Sequence, residues 1–137
     1  MPSIHTILSV DDDPFYQDLY RNIFENKGYR VITASDPAEG YKVALQEKPD
    51  LMLVDVMMPE RGGFRDGYHL LEELRKLPAF AKTPIVMVSA LGEEEDIAHG
   101  KELGATAYVA KQDMMPDRLL KIISDLLMGG QESKLVV

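Results

Sequence analysis

The 137-residue chain contains no cysteine, which excludes a disulfide framework, a thiolate zinc site and a thiol nucleophile. It has no run of about 18 apolar residues and no basic, apolar start typical of a signal peptide. It also has no basic run, and 23 Asp and Glu against 15 Lys and Arg give a net charge of −8. Such a surface repels phosphate backbones. We therefore expect a cytoplasmic protein that binds neither membrane nor nucleic acid directly.

The chain alternates short apolar runs with longer amphipathic segments. Hydrophobic residues make up 45% of it and charged residues 28%, which is typical of one globular domain. The apolar runs are Ile7–Val10, Tyr29–Ala34, Leu51–Val54, Ile85–Val88 and Ala107–Ala110. The third and fourth runs do not alternate with polar residues, so both faces of these predicted strands must be covered, as in central parallel strands.

Five helical patterns follow the five apolar runs. They span about 14–28, 36–47, 70–77, 93–103 and 119–128. In the first, Asp13 is expected to cap the helix, Gly28 to end it, and Tyr16 and Tyr20 to belong to its apolar stripe. The order βαβαβαβαβα predicts a doubly wound α/β domain with a five-stranded parallel sheet and helices on both faces. We expect this domain to occupy 1–128 and a disordered tail to occupy 129–137.

Polar side chains follow four of the five predicted strands. Asp11 and Asp12 follow the first strand, and Asp55, Ser89 and Lys111 follow the third, fourth and fifth. Each alone has a structural explanation, but ligands bind beyond the carboxyl ends of strands in such sheets. Clustered carboxylates need a cation, and oxygen donors suit Mg²⁺. An aspartate there can form an aspartyl phosphate, with the lysine and the hydroxyl stabilising the phosphoryl group.

These residues and their spacing resemble the receiver domain of response regulators in two-component signalling. The matching segments are VDDDP at 10–14, DLMLVDVMMP at 50–59, DG at 66–67, TPIVMVSA at 83–90, GA at 104–105 and YVAK at 108–111. The resemblance covers about residues 4–128. It implies a flavodoxin-like receiver fold with strand order 2-1-3-4-5 and five helices.

The resemblance also implies which residue accepts the phosphoryl group and which residues hold Mg²⁺. Asp55 matches the phosphoacceptor, which receives its phosphoryl group from a histidine kinase or a histidine phosphotransfer protein. Asp12 matches the direct Mg²⁺ ligand, and Asp11 the acid that acts mainly through water. The backbone carbonyl of Met57 matches a further ligand, so the implied metal site consists of these four residues.

Three further residues match the parts of the switch. Lys111 matches the lysine beside the phosphoacceptor, and Ser89 the hydroxyl residue that turns towards the phosphoryl group. Tyr108 matches the aromatic residue that rotates inward on activation, so we expect Ser89 and Tyr108 to move together.

Gln112 follows Lys111 where the family usually has a proline. A trans peptide bond or a mobile loop is expected there, since cis bonds are costly without proline.

The segment 60–65 lengthens the loop after the predicted phosphoacceptor relative to the family. Guanidinium groups suit phosphate oxygens, so Arg61 or Arg65 is predicted to approach the phosphoryl group or an acidic partner surface, with exposure to solvent as the alternative.

Met57 and Leu91 are predicted to flank the path of the water molecule that attacks the phosphorus of the aspartyl phosphate. Neither side chain orients water strongly, which predicts slow loss of the phosphoryl group.

The favoured interpretation is a regulatory, phosphorylation-activated switch rather than an enzyme. It would signal to a downstream effector protein through its fourth helix, fifth strand and fifth helix, as a monomer or a phosphorylation-dependent dimer. No helix-turn-helix pattern follows residue 128, so we expect that this chain is not itself a complete transcription factor. Two alternatives are a receiver-like interaction module that is never phosphorylated and a Mg²⁺-dependent phosphatase with an aspartate nucleophile. The phosphatase class needs a second acid two residues after its nucleophile, where Met57 stands.

Overall fold

The computed structural model describes residues 4–90 and 92–129. Within these residues, five parallel strands form a sheet in the order β2-β1-β3-β4-β5. The strands are β1 (Thr6–Val10), β2 (Arg30–Ala34), β3 (Leu51–Asp55), β4 (Ile85–Ser89) and β5 (Ala107–Ala110). The predicted doubly wound fold and its strand order are confirmed. Apart from Gly129, the predicted tail lies outside the described residues.

In the described parts of the chain, five α-helices connect and follow these strands. They are α1 (Pro14–Glu25), α2 (Pro37–Glu47), α3 (Gly67–Arg75), α4 (Glu94–Glu102) and α5 (Pro116–Leu127). Single 3₁₀ turns lie at Pro78–Phe80 and Lys111–Asp113. The first helix is shorter than predicted, because the chain leaves α1 three residues before Gly28. The positive φ of 91° at Gly28 lets the Tyr29 N–H donate to the Phe24 carbonyl at 3.1 Å, which closes the helix end.

Aspartates begin three of the helices. The Asp13, Asp36 and Asp66 side chains each accept a hydrogen bond, of 2.8 to 3.0 Å, from a backbone N–H two or three residues further along. These bonds satisfy donors that the first helical turn leaves without partners. The prediction that Asp13 caps α1 is confirmed, and this cap fixes where α1 starts relative to the end of β1.

Two apolar layers enclose the sheet. Helices α1 and α5 cover one face, through buried residues such as Phe24 and Ile123. Helices α2, α3 and α4 cover the other, where Ala44 and Leu70 are buried. Every residue of β3 and β4 is buried, as their unbroken apolar sequences predict. No helix in the described part of the chain is both long enough and apolar enough to cross a membrane.

Candidate functional site

The carboxyl edge of the sheet gathers three carboxylates. Strands β1 and β3 are neighbours, so Asp11, which follows β1, and Asp55, which ends β3, emerge side by side. One oxygen each from Asp11, Asp12 and Asp55 lies within 4.8 Å of the others. Asp11 and Asp55 are only 1% and 4% exposed, whereas Asp12 is exposed. The cluster therefore has a buried floor and one side open to solvent.

Asp55 and Ser89 are the last residues of their strands rather than the first residues after them. Asp55 stays in register with Val88, and Ser89 with Ala110, so the parallel ladder continues one residue beyond the apolar runs. The sequence placed these two residues outside the strands because polarity alone marked the boundary. The sheet thus holds the backbones of both residues rigidly.

Asp11 is anchored from two directions. Its Oδ1 accepts a hydrogen bond from the Asp13 N–H at 2.8 Å. Its backbone carbonyl accepts one at 2.7 Å from the Gln17 side chain, which also donates to the Ala34 carbonyl at 2.9 Å. Gln17 was not predicted from the sequence, since a polar residue in an amphipathic helix gives no signal of such a contact. It ties α1 to the ends of β1 and β2.

Asp55 is held by the loop that follows it. Its Oδ1 accepts a hydrogen bond from the Met57 N–H at 3.4 Å. The Gly67 N–H donates to the Val56 carbonyl at 3.0 Å, and a Cβ at Gly67 would collide with the Asp55 carbonyl oxygen. Only glycine therefore lets the start of α3 approach the end of β3 this closely.

Lys111 directly follows β5 and reaches back to both buried carboxylates. Its Nζ lies 3.2 Å from Asp11 Oδ2 and 3.5 Å from Asp55 Oδ2. On another side, Nζ lies 3.9 Å from the centre of the Tyr16 ring. The Lys111–Gln112 peptide bond is trans, which agrees with one of the two expectations for this position. One ammonium group therefore serves two carboxylates.

Burial is the largest single influence on the pKa of each of these three groups. Burial, followed by the negative charge of Asp11, raises the pKa of Asp55 to about 7, against the opposing effect of Lys111. Burial also raises the pKa of Asp11, more than the Asp13 N–H and Lys111 lower it. For Lys111 burial lowers the pKa, but the charges of Asp55 and Asp11 outweigh it and the net pKa is raised. The site therefore favours the binding of a further proton or cation.

The two predicted switch residues are both buried. Ser89 is fully enclosed, and Tyr108 on β5 is 1% exposed. The Tyr108 hydroxyl lies 3.4 Å from that of Tyr68 on α3, and the Tyr68 hydroxyl donates to the Asp96 carbonyl of α4 at 3.1 Å. The ring of Tyr108 packs so close to Gly100 that a Cβ there would lie 3.1 Å from it. Coupled movement of Ser89 and Tyr108 stays a prediction.

The inserted segment forms a small hairpin against α2. Backbone hydrogen bonds of 2.9 and 3.0 Å join Arg61 and Phe64 across a two-glycine turn, in which both glycines have positive φ. Phe64 packs on Tyr41, with ring centres 5.5 Å apart. The side chain of Arg61 lies 3.6 Å from Asp36.

The structure shows where both arginines of the inserted segment lie, whereas their approach to a phosphoryl group or to an acidic partner surface stays a prediction. Arg61 pairs with Asp36 and Arg65 with Glu72, and both arginine side chains are about two-thirds exposed. This exposure agrees with the alternative in which both arginines face solvent. The Met57 side chain is 55% exposed, whereas Leu91 lies outside the described residues. Slow loss of the phosphoryl group stays a prediction.

Most of the chain matches one protein family and several known proteins. Residues 7–124 match the response regulator receiver domain family. The chain is 33% identical over 123 residues to protein PilH of Pseudomonas aeruginosa, covering 90% of this chain and 98% of PilH. It is 43% identical over 105 residues to the alkaline phosphatase synthesis transcriptional regulatory protein PhoP of Bacillus subtilis, covering 77% of this chain. That match spans only 41% of PhoP, and the chain likewise spans less than half of several other curated transcriptional regulators.

Solved structures of similar fold lead to the same family. A CheY-like response regulator receiver domain protein from Methanospirillum hungatei matches with a TM-score of 0.82 and 32% identity, over 92% of this chain and 95% of that one. The chemotaxis protein CheY4 of Vibrio cholerae matches with a TM-score of 0.81 and 28% identity, over 89% and 98% of the two chains. With most of its length matched in both sequence and fold, this chain belongs to the receiver domains of two-component response regulators.

Proposed function

We propose that this receiver domain is a phosphorylation-activated switch in which Asp55 accepts a phosphoryl group from phosphohistidine. The observation that carries this proposal is the setting of Asp55, a buried carboxylate 3.5 Å from the Lys111 ammonium and beside Asp11 and Asp12. The donor would be a histidine kinase or a histidine phosphotransfer protein. The phosphorylated domain would signal through changed contacts with a downstream effector protein.

In the proposed reaction, a carboxylate oxygen of Asp55 attacks the phosphorus of the phosphohistidine. A P–O bond to Asp55 forms while the P–N bond breaks, and the electron pair of the P–N bond stays with the imidazole, which is then protonated. The transition state spreads negative charge over the phosphoryl oxygens. Lys111 Nζ, which already lies within 3.5 Å of an Asp55 oxygen, is positioned to pair with that charge.

The donor set fits Mg²⁺. Asp11, Asp12 and Asp55 offer only carboxylate oxygens, which hard divalent cations prefer, and one of the three residues is exposed to solvent. We propose that these three side chains and the Met57 carbonyl hold the ion. When bound, Mg²⁺ supplies positive charge that offsets the carboxylates and polarises a phosphoryl oxygen.

The proposed output begins at Ser89. Asp55 is in register with Val88, so the Ser89 backbone lies one position further along the neighbouring strand. We propose that the Ser89 hydroxyl donates to a phosphoryl oxygen and that Tyr108 on the next strand adjusts with it. Because the Tyr108 ring lies against Gly100, this adjustment would reach α4 and alter the surface formed by α4, β5 and α5.

The remaining features of the proposal rest on the net charge of the chain and on its membership of the receiver-domain family. We propose a regulatory role in the cytoplasm, in which the domain assists only its own phosphorylation and dephosphorylation. It would work as a monomer or as a phosphorylation-dependent dimer. A net charge of −8 supports protein partners over direct contact with nucleic acid.

Intact-mass spectrometry after incubation with acetyl phosphate and Mg²⁺ tests the proposal. We expect one added phosphoryl group, lost in Asp55→Asn and lost when Mg²⁺ is chelated. Asp18→Asn, which changes an exposed aspartate on α1, is the matched control and should be phosphorylated like the wild type. If Mg²⁺ shifts the amide NMR signals of the site while the mass stays unchanged, the interaction-module alternative replaces this proposal.

A further inference from the structure

The aromatic ring of Tyr16 forms one wall of the space around the Lys111 ammonium. Nζ lies 3.9 Å from the ring centre, well within the range of about 6 Å at which a cation is attracted to an aromatic face. Tyr16 is half-buried, and its ring meets that of Phe15 edge-on at 5.2 Å. The sequence predicted Tyr16 only as part of the apolar stripe of α1, and its contact with the site was not foreseen.

The helical turn that carries the ring is held by residues that also anchor the acidic site. Asp13 and Pro14 fix the first turn of α1, which carries Tyr16. One residue further on, Gln17 ties this turn to the carbonyls of Asp11 and Ala34 at 2.7 and 2.9 Å. The Tyr16 backbone therefore cannot move far relative to Asp11.

Lys111 needs such a support, because its long side chain has several rotatable bonds and must hold one position. Its other attachments are the oxygens of Asp11 and Asp55, at 3.2 and 3.5 Å. Both attachments depend on carboxylate charge, and that of Asp55 changes when this residue is phosphorylated. Attraction to the face of Tyr16 comes from the ring quadrupole and does not depend on the state of Asp55.

We propose that Tyr16 is a positioning residue that holds the Lys111 ammonium beside the phosphoacceptor oxygen through a cation–π contact. This inference rests on the proposed phosphorylation of Asp55. The ring acts through Lys111 and has no direct part in the transfer. Removing it leaves the ammonium less well placed for the charge that develops on the phosphoryl oxygens.

Three variants separate the ring from the hydroxyl and from general packing. Tyr16→Leu removes the ring and should slow phosphorylation by acetyl phosphate about 5- to 30-fold, the range between a cation–π contact at an exposed site and one withdrawn from water. Tyr16→Phe keeps the ring and should restore a rate close to that of the wild type. Phe15→Leu removes the exposed neighbouring ring on the same helical turn and should leave the rate unchanged.

A spectroscopic signature tests the contact without any phosphorylation. In Mg²⁺-free protein, the Lys111 ε-methylene protons above the ring should be shifted upfield in NMR spectra of the wild type and of Tyr16→Phe. They should return to ordinary lysine positions in Tyr16→Leu. An unshifted signal in the wild type would overturn the proposal, as would an unchanged phosphorylation rate in a folded Tyr16→Leu.

Fluorinated phenylalanines at position 16 keep the test valid if Tyr16→Leu fails to fold. Successive fluorine atoms weaken the negative face of the ring with little change of shape, so the phosphorylation rate should fall stepwise from Phe to the pentafluoro ring. A flat series contradicts the proposal. If the wild type is not phosphorylated at all, the function proposed for Asp55 fails, whereas the methylene shifts still decide whether Tyr16 holds Lys111.

Discussion

Buried charged side chains at the two ends of the sheet have different kinds of partner. Near the amino ends of β4 and β5, the half-buried Arg75 guanidinium donates to neutral acceptors only, in the hydrogen bonds that the structure describes. These acceptors are the carbonyls of Phe80, Thr83 and Gly104, at 2.6, 2.7 and 2.9 Å, and the Thr106 hydroxyl at 3.2 Å. At the carboxyl ends, Asp11 and Asp55 instead share the single ammonium of Lys111.

This difference separates a charge that stabilises the fold from charges for which we propose a chemical role. Burial lowers the pKa of Arg75, but a guanidinium stays protonated at any ordinary pH and its donors have partners. Burial raises the pKa of Asp55 to about 7, so this carboxyl group gains or loses its proton within the ordinary pH range. A buried carboxylate in that condition is stabilised by binding a proton or a cation, whereas the donors of the Arg75 guanidinium already have acceptors.

The largest effect is expected from removing Arg75. Arg75→Met leaves three carbonyls and a hydroxyl without their donor and should lower the free energy of unfolding by about 3 kcal/mol. Urea denaturation measures this loss, and Arg65→Met, at an exposed arginine, should change stability by less than about 0.5 kcal/mol. Phosphorylation of folded Arg75→Met should stay normal. A small loss of stability would mean that the two ends of the sheet do not differ in this way.

An intermediate effect is expected from the titration of Asp55 in Mg²⁺-free protein. A carboxyl whose pKa rises from 3.8 to about 7 on folding binds more protons in the folded state than in the unfolded state between these values. Its contribution to stability is therefore complete below pH 4 and is lost as the pH rises through 7. Three pKa units correspond to about 4 kcal/mol, and we expect about half of this because water reaches the open edge of the site.

The difference between wild type and Asp55→Asn in the pH dependence of stability isolates the contribution of the Asp55 carboxyl. Urea midpoints measured from pH 4 to pH 8 should fall with pH more steeply in the wild type than in the variant, and Mg²⁺ should reduce the difference. Parallel curves for the two proteins would show that the Asp55 carboxyl does not carry an elevated pKa.

The smallest effect is expected in the hairpin that packs on α2. Arg61→Ala removes an exposed ion pair of 3.6 Å with Asp36 and should cost less than about 0.5 kcal/mol. The rate of phosphorylation by acetyl phosphate should not change, since the Arg61 guanidinium pairs with Asp36 and is about two-thirds exposed. A clear drop in that rate would instead support the prediction that this arginine approaches the phosphoryl group.

Much of the fold and of the acidic site was accessible from the sequence. Unbroken apolar runs identified β3 and β4, and Asp13 before Pro14 located the start of α1. Because parallel strands present their carboxyl ends at one edge, Asp11, Asp55 and Lys111 could be predicted to meet there. The resemblance to receiver domains added the strand order, which the structure confirms, and the roles that we propose for these residues.

The sequence by itself determined which segments form strands and helices and which polar groups face the carboxyl edge, because these properties depend on local pattern and chain direction. Only the tertiary structure decided that Arg75 joins four acceptors and that Arg61 turns to Asp36. It alone placed Lys111 against the ring of Tyr16. The physical reason is the distance along the chain over which each property is set. Periodicity within one segment tells which face of a helix is buried, but a contact within 4 Å between distant segments depends on how whole helices and strands pack.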